Sequence, residues 1–358
     1  MEGGPKRKPQ GLKLPEGVKL NRGSREAALK KYPGPKLSLE GSQRILKNLE
    51  QKDQKTINVV VFLGGGDRPQ GGGVSMAIQE NGLLSSIDYV YGSSVGTAVA
   101  SHLVTGEAEK NKRMFRGMTP DGIFVERFMK MPYKLNQDTL TQVIEGELGS
   151  LRVNREKESE GPELIAAVTD RETGELEFFE AKRHPQAMQI RLASANAPTP
   201  NLLKGVEVEG RMKTDGMIAN SFPIEEIVHD VKKRIQASGR TEPYKLSVCV
   251  VMTTQEAKAK YGGGLGTKMY MQATHPQPTA DKVWDGQEIF NKELEWVRTR
   301  MEEGQNDETK DQYLLVWSAH HSGLLTIDQA ESKVLFEGAQ HDFSEALSSA
   351  KEKTKDKN

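Results

Sequence analysis

Ile57-Asn58-Val59-Val60-Val61-Phe62-Leu63-Gly64-Gly65-Gly66-Asp67-Arg68 decides the fold. Its first seven residues are apolar and β-branched at nearly every position, without the alternation of a half-exposed strand. Such a run suits a strand buried on both faces, as in a parallel sheet. It ends abruptly at glycine. Downstream, Val74-Ser75-Met76-Ala77-Ile78-Gln79-Glu80-Asn81-Gly82 suits a helix closed by Gly82. Ile87-Asp88-Tyr89-Val90-Tyr91 then suits a second strand, and residues 95–103 another helix. This order of strand, helix, strand, helix predicts an α/β fold with right-handed crossovers. Further strands are expected at 164–168, 175–179, 245–252 and 313–317, and a long helix at 283–301, where Phe290, Leu294, Val297 and Met301 form one apolar stripe.

The chain has 358 residues, 35% hydrophobic and 28% charged, with 50 Lys+Arg against 50 Asp+Glu, which excludes a disordered polyelectrolyte and a uniformly basic nucleic-acid binder. No nucleic-acid partner is expected. Neither a run of about 18 apolar residues nor an apolar block of signal-peptide type is found, so the expectation is a soluble, cytoplasmic protein. Cys249 is the only cysteine and lies in an apolar strand; it reads as an inert core thiol, with no disulfide framework and no multi-cysteine metal site. No metal or cofactor is expected.

The neutral total hides an asymmetry. Residues 1–55 hold 14 Lys/Arg and 6 Asp/Glu, with Pro5, Pro9, Pro15, Pro33 and Pro35 and few apolar residues. That composition predicts a basic, flexible N-terminal arm over 1–55, interrupted by a short helix near Ser42 whose Ile45, Leu46 and Leu49 share a face. The folded domain is then expected over 56–345, followed by a charged C-terminal tail over 346–358.

Gly92-Ser93-Ser94-Val95-Gly96 matches G-x-S-x-G between a predicted strand and a predicted helix, the setting of a nucleophile elbow. Ser94 is the candidate nucleophile, and Gly92 and Gly96 permit the tight turn. The loop Gly64-Gly65-Gly66-Asp67-Arg68 presents backbone N–H groups that suit an oxyanion. A dinucleotide or phosphate cradle fits less well: G-x-G-x-x-G needs glycine where Pro69 stands, and the Walker A Gly-Lys-Ser/Thr is absent. The cluster Gly262-Gly263-Gly264-Leu265-Gly266 also misses Walker A and reads as a flexible loop. Asp215-Gly216, 121 residues after Ser94, is by itself an ordinary turn signal.

Taken in order, the glycine loop after strand one, the serine elbow after strand two and the later Asp-Gly resemble the patatin-like phospholipase family of lipid acyl hydrolases. Ala167-Val168-Thr169-Asp170-Arg171-Glu172-Thr173-Gly174-Glu175 is similar to the family's strand-turn-strand segment. Ile190-Arg191-Leu192-Ala193-Ser194-Ala195-Asn196-Ala197-Pro198 resembles its Ala-Ser-x-x-x-Pro stretch, and Thr326-Ile327-Asp328 with residues 334–338 its closing helix. The resemblance covers roughly residues 57–340.

It implies a three-layer fold with a mostly parallel central sheet and a Ser94–Asp215 dyad that cleaves fatty acyl esters through an acyl-enzyme. The oxyanion would be held by amides of Gly64, Gly65, Gly66, Asp67 and Arg68, with Gly216 shaping the Asp turn. The substrate implied is a phospholipid or another acyl-ester lipid. Two positions depart from the family: Pro69 stands where it usually has glycine, and Met217 where it has glycine or alanine. Two alternatives stand beside this reading. One is a Ser…Asp…His hydrolase using His320 or His321; the other is a noncatalytic lipid-binding protein of the same fold. His102 is expected to be a packing or surface residue, and Asp170 and Arg171 to build a hairpin turn. The basic arm suggests peripheral contact with anionic bilayers.

Overall fold

The computed structural model describes residues 24–64, 69–117, 125–126, 134–135, 161–195, 205–252, 276–320 and 329–355. Helices run over α1 (Arg25–Lys31), α2 (Arg44–Glu50), α3 (Gln70–Glu80), α4 (Val95–Val104), α5 (Glu109–Gly117), α6 (Ala187–Ala195), α7 (Ile224–Ala237), α8 (Gln277–Asn306) and α9 (Gln329–Lys355). Strands are β1 (Leu37–Gly41), β2 (Thr56–Phe62), β3 (Tyr89–Gly92), β6 (Glu163–Asp170), β7 (Leu176–Glu180), β8 (Val206–Val208), β9 (Arg211–Asp215), β10 (Lys245–Val251) and β11 (Gln312–Ser318), with β4 (Val125–Glu126) and β5 (Lys134–Leu135) as a separate two-residue pair.

The apolar run that opened the sequence reading becomes β2, buried at every position. It pairs in parallel with β10 on one side and β3 on the other. The five central strands, β11-β10-β2-β3-β6, are all parallel, and antiparallel strands flank them at both ends. Alternate residues of β2 point to opposite faces, and the core divides accordingly. Val60 and Phe62 join the side chains of α2, α3, α4 and α9 on one face; Val59 and Val61 join α7 and α8 on the other. Three layers result, as expected. The stripe Phe290, Leu294, Val297 and Met301 of α8 is core.

Consecutive parallel neighbours leave β2 in opposite directions along the sheet, towards β3 and towards β10, which makes the carboxyl end of β2 a topological switch point. Crevices for ligands form at such ends because the loops diverge there. Gly64 follows this strand directly.

Sequence and structure differ at both ends of the chain. Residues 25–50, assigned above to a flexible arm, form α1, β1 and α2. β1 closes an edge of the sheet against β11, and Leu37, Ile45, Leu46 and Leu49 are buried. Few apolar side chains are needed, because β1 borrows its partner from the far end of the chain and composition does not register that pairing. The helix near Ser42 is present as α2. At the other end α9 continues to Lys355 with Leu347 in the core, so the packed region runs past residue 345. Among the described residues no helix is long and apolar enough to cross a membrane.

Candidate active site

β6 brings the two candidate residues together. Ile165 pairs with Tyr91 of β3 and with Glu180 of β7, and Val168 pairs with Asp215 of β9 and with Glu177 of β7. A strand has two edges, so β7 occupies one while β3 and β9 share the other, arriving from opposite directions. β3 ends at Gly92 opposite Ala166, and β9 ends at Asp215 opposite Val168. The serine elbow and the Asp turn therefore emerge face to face over Ala167. Gly216 sits against that residue: a Cβ on it would lie 2.6 Å from the Ala167 carbonyl oxygen.

Ser94 has φ 56° and ψ −137°, a conformation rare for a residue with a side chain. Strain of this kind persists only where surrounding contacts enforce it, and here the neighbours leave no room to relax. A Cβ on Gly96 would collide with the Phe62 carbonyl, and one on Gly92 would lie 2.5 Å from Thr97 Cα. Ser93 N donates to Phe62 O at 3.1 Å, tying the elbow to the end of β2. Ser94 occupies the N-cap position of α4, yet its hydroxyl makes no capping bond. The hydroxyl is thus directed away from the helix it precedes.

Gly64 closes the arrangement from the β2 side. A methyl group in its place would collide with Ser94 Cβ and would lie 2.6 Å from Met217 Sδ and 2.8 Å from Ser94 Oγ. Glycine is required here by space. Gly65, Gly66, Asp67 and Arg68, the remainder of the expected oxyanion loop, lie outside the described residues.

Asp215 is fully buried. It caps the single 3-10 turn Gly216–Ile218, its Oδ1 accepting from Met217 N at 2.9 Å. Burial raises its pKa from 3.8 to about 7, while the Met217 amide and the Ser94 hydroxyl pull it back down. Its second oxygen, Oδ2, is buried without a hydrogen-bond partner among the described residues. The carboxyl is thus anchored at one oxygen by the Met217 amide, and the Ser94 hydroxyl lies within hydrogen-bonding reach of it.

Neighbouring hydroxyls fix the two loops to β6. Thr169 Oγ1 donates to Asp215 O at 2.8 Å and accepts from Ala219 N at 3.1 Å, spanning the Asp turn. Ser194 Oγ donates to Ala167 O at 2.6 Å, which leaves Thr97 Oγ1, also 2.6 Å away, to donate to Ser194. Thr97, Thr169 and Ser194 carried no role in the sequence reading, although Thr169 and Ser194 lie in the two quoted segments. Local pattern marks such residues as polar; only the fold shows that they are buried braces.

Asp170 builds the β6–β7 turn, accepting from Glu172 N and Thr173 N at 2.9 Å each, as the sequence suggested. It also receives Lys213 Nζ at 2.8 Å, a lysine as buried as the aspartate itself. His102 is buried, with Nδ1 2.7 Å from Asn111 Oδ1. Cys249 is buried, and desolvation pushes its thiol up to about 12.

His320 is not brought to Ser94. It follows β11, three strand positions from β3, a lateral separation of about 14 Å. Its ring packs edge-on against Tyr32, with centroids 5.6 Å apart. His321 lies outside the described residues. The only grouping of potential metal ligands among the described residues is His341, Asp342 and Glu345 on α9, and it is not part of this site.

Comparison with known proteins adds an independent line. Residues 62–228 match the family model described as patatin-like phospholipase. No curated protein matches the chain. Among solved structures, VipD from Legionella pneumophila is similar at 13% identity and a TM-score of 0.39, over 92% of this chain and 73% of its own. Human GIVD cytosolic phospholipase A2, solved with methyl γ-linolenyl fluorophosphonate, is similar at 13% identity and a TM-score of 0.39, over 86% of this chain and 62% of its own. The chain thus spans less than two thirds of the human enzyme. The family match begins in β2 and ends in α7, so the stretch similar to patatin-like phospholipases encloses Gly64, the Ser94 elbow and the Asp215 turn.

Proposed function

We propose that the protein is a lipid acyl hydrolase that cleaves fatty acyl esters with Ser94 as nucleophile and Asp215 as its proton acceptor. One observation carries the reading. A carboxyl raised to about 7 stands beside a serine held in a strained elbow, whose hydroxyl bonds that carboxyl and does not cap its own helix. The family match supports the substrate class, phospholipids or other acyl-ester lipids.

In this mechanism Asp215 Oδ2 takes the Ser94 proton as Oγ attacks the ester carbonyl. Negative charge moves to the carbonyl oxygen, and backbone amides at and after Gly64, with the α4 N-terminus behind Ser94, stabilise it. The tetrahedral intermediate collapses to an acyl-serine, and the proton held by Asp215 passes to the departing alcohol. Water then attacks the acyl-serine with Asp215 again as base, releasing the fatty acid and restoring Ser94. A carboxylate of ordinary basicity would be protonated too weakly by a serine. Burial brings Asp215 close to the neutral pH at which a general base works best.

The test is fatty acid release from phospholipid vesicles and hydrolysis of p-nitrophenyl esters by wild type, Ser94→Ala and Asp215→Asn. Each substitution should lower turnover by about 10³-fold or more with the circular dichroism spectrum unchanged. A fluorophosphonate should label wild type at Ser94. Equal turnover in all three proteins would refute the dyad, and loss on replacing His320 would favour the triad instead.

A further inference from the structure

Met217 has a place at this site that its position in a turn does not announce. Its amide is fixed by Asp215 Oδ1 at 2.9 Å, so the start of its side chain is held at the Asp turn. The side chain is partly exposed, unlike Asp215 and Gly216 before it. Its sulfur and the Ser94 hydroxyl oxygen border the same methyl-sized volume at Gly64, lying 2.6 and 2.8 Å from where a Cβ would stand.

An acyl carbon must come within about 3–3.5 Å of Ser94 Oγ to react. The carbons next to that carbonyl then pass beside the thioether. We propose that Met217 is a specificity-determining residue whose side chain walls the acyl subsite next to the carbonyl and selects unbranched over α-branched acyl groups; this rests on Ser94 being the nucleophile. An unbranched, flexible side chain can move aside for a linear CH₂ chain and keep contact along it. A quaternary carbon beside the carbonyl needs space on every side at once, and the sulfur occupies one of them. Truncation to alanine removes that wall while leaving the amide that holds Asp215.

The experiment compares kcat/KM for p-nitrophenyl butanoate and p-nitrophenyl trimethylacetate in full-length wild type, Met217→Ala and Met217→Leu. Met217→Ala should raise the trimethylacetate-to-butanoate ratio about tenfold, and Met217→Leu, close in volume, should stay within about threefold of wild type. A merely structural role would depress both esters together, so a Met217→Ala ratio within about twofold of wild type overturns the inference. Ser94→Ala separates the two levels. If wild-type turnover of both esters survives that substitution, the dyad reading fails and the inference with it; if turnover depends on Ser94 and the ratio is unmoved, the inference alone fails.

Discussion

Burial raises Asp215 to about pKa 7, and the same shift that suits it to the proposed role of base works against the fold. Between 3.8 and about 7 the unfolded chain releases this proton while the folded protein retains it. The folded state therefore binds more protons in that window, and stability falls as pH climbs through it. Below the lower value the group costs nothing; above the upper one the full cost, on the order of 4 kcal/mol as an upper bound, is in place. Asp215→Asn removes the titration. Thermal unfolding should show a higher Tm than wild type at pH 8 and a smaller difference at pH 4; an unchanged difference between the two pH values would contradict the assignment. Activity should move the opposite way. In wild type kcat/KM should rise with pH and level off above about 7, because only the ionised carboxyl accepts a proton. A profile flat from pH 5 to 9 would exclude Asp215 as the base.

The element that brings Ser94 and Asp215 together is β6, and its far end is held by charge. Lys213, two residues before Asp215 on β9, is buried and donates to Asp170 at 2.8 Å and to Glu177 at 2.6 Å, joining β9 to β6 and β7. Desolvation alone would raise Asp170, but the Lys213 hydrogen bond and the Thr173 and Glu172 amides outweigh it and bring the carboxyl from 3.8 down to about 2. Here the folded pKa is the lower one. The stabilisation is complete above 3.8 and is lost as pH falls towards 2, opposite in sign to that of Asp215. Replacing Lys213 with methionine leaves a buried carboxylate short of its main partner and should cost about 3 kcal/mol in urea denaturation at pH 7. The penalty should shrink as Asp170 protonates. A cost below about 1 kcal/mol would mean that Arg211, also 3.1 Å from Asp170, carries the charge alone.

Across the whole molecule, the candidate site lies at the carboxyl end of the parallel strands, where the crossovers diverge from β2. The three layers keep Asp215 dry, with α7 and α8 on one face of the sheet and α3, α4 and α9 on the other. Any contact with a bilayer belongs to this level too. The basic excess over residues 1–55 is partly folded into α1, β1 and α2, so residues 1–23 are the segment to remove. Binding to liposomes containing anionic lipid should weaken with added salt and on deletion of 1–23, since each Lys/Arg near such a surface contributes roughly 1 kcal/mol. Salt-insensitive binding, or binding that survives the deletion, would remove the arm from the account.

Much of this is legible in the amino-acid sequence. β2, β3, β6, β10 and β11 are recognisable because strands buried in a parallel sheet are written as short apolar runs; β7, half-buried and antiparallel to β6, is also legible. The Ser94 elbow was recognisable because a sharp turn between strand and helix demands glycine on both sides. β1, β8 and β9 were not recognised: they are short, polar on one face and stabilised by partners elsewhere. A hint was present in β8 and β9, whose connection at Glu209-Gly210 has positive φ at both residues and whose flanks alternate Val206, Val208 and Met212, Thr214. Chain order and residue type thus specify which side chains this protein has for chemistry and on which turns they sit. Their meeting was decided by packing: an edge of β6 seats β3 and β9 end to end, and only that shared edge carries an alcohol and an acid 121 residues apart into one dry crevice. Burial, which raises the Asp215 carboxyl to about 7, comes from the layers on either side and is written in no single stretch of the chain.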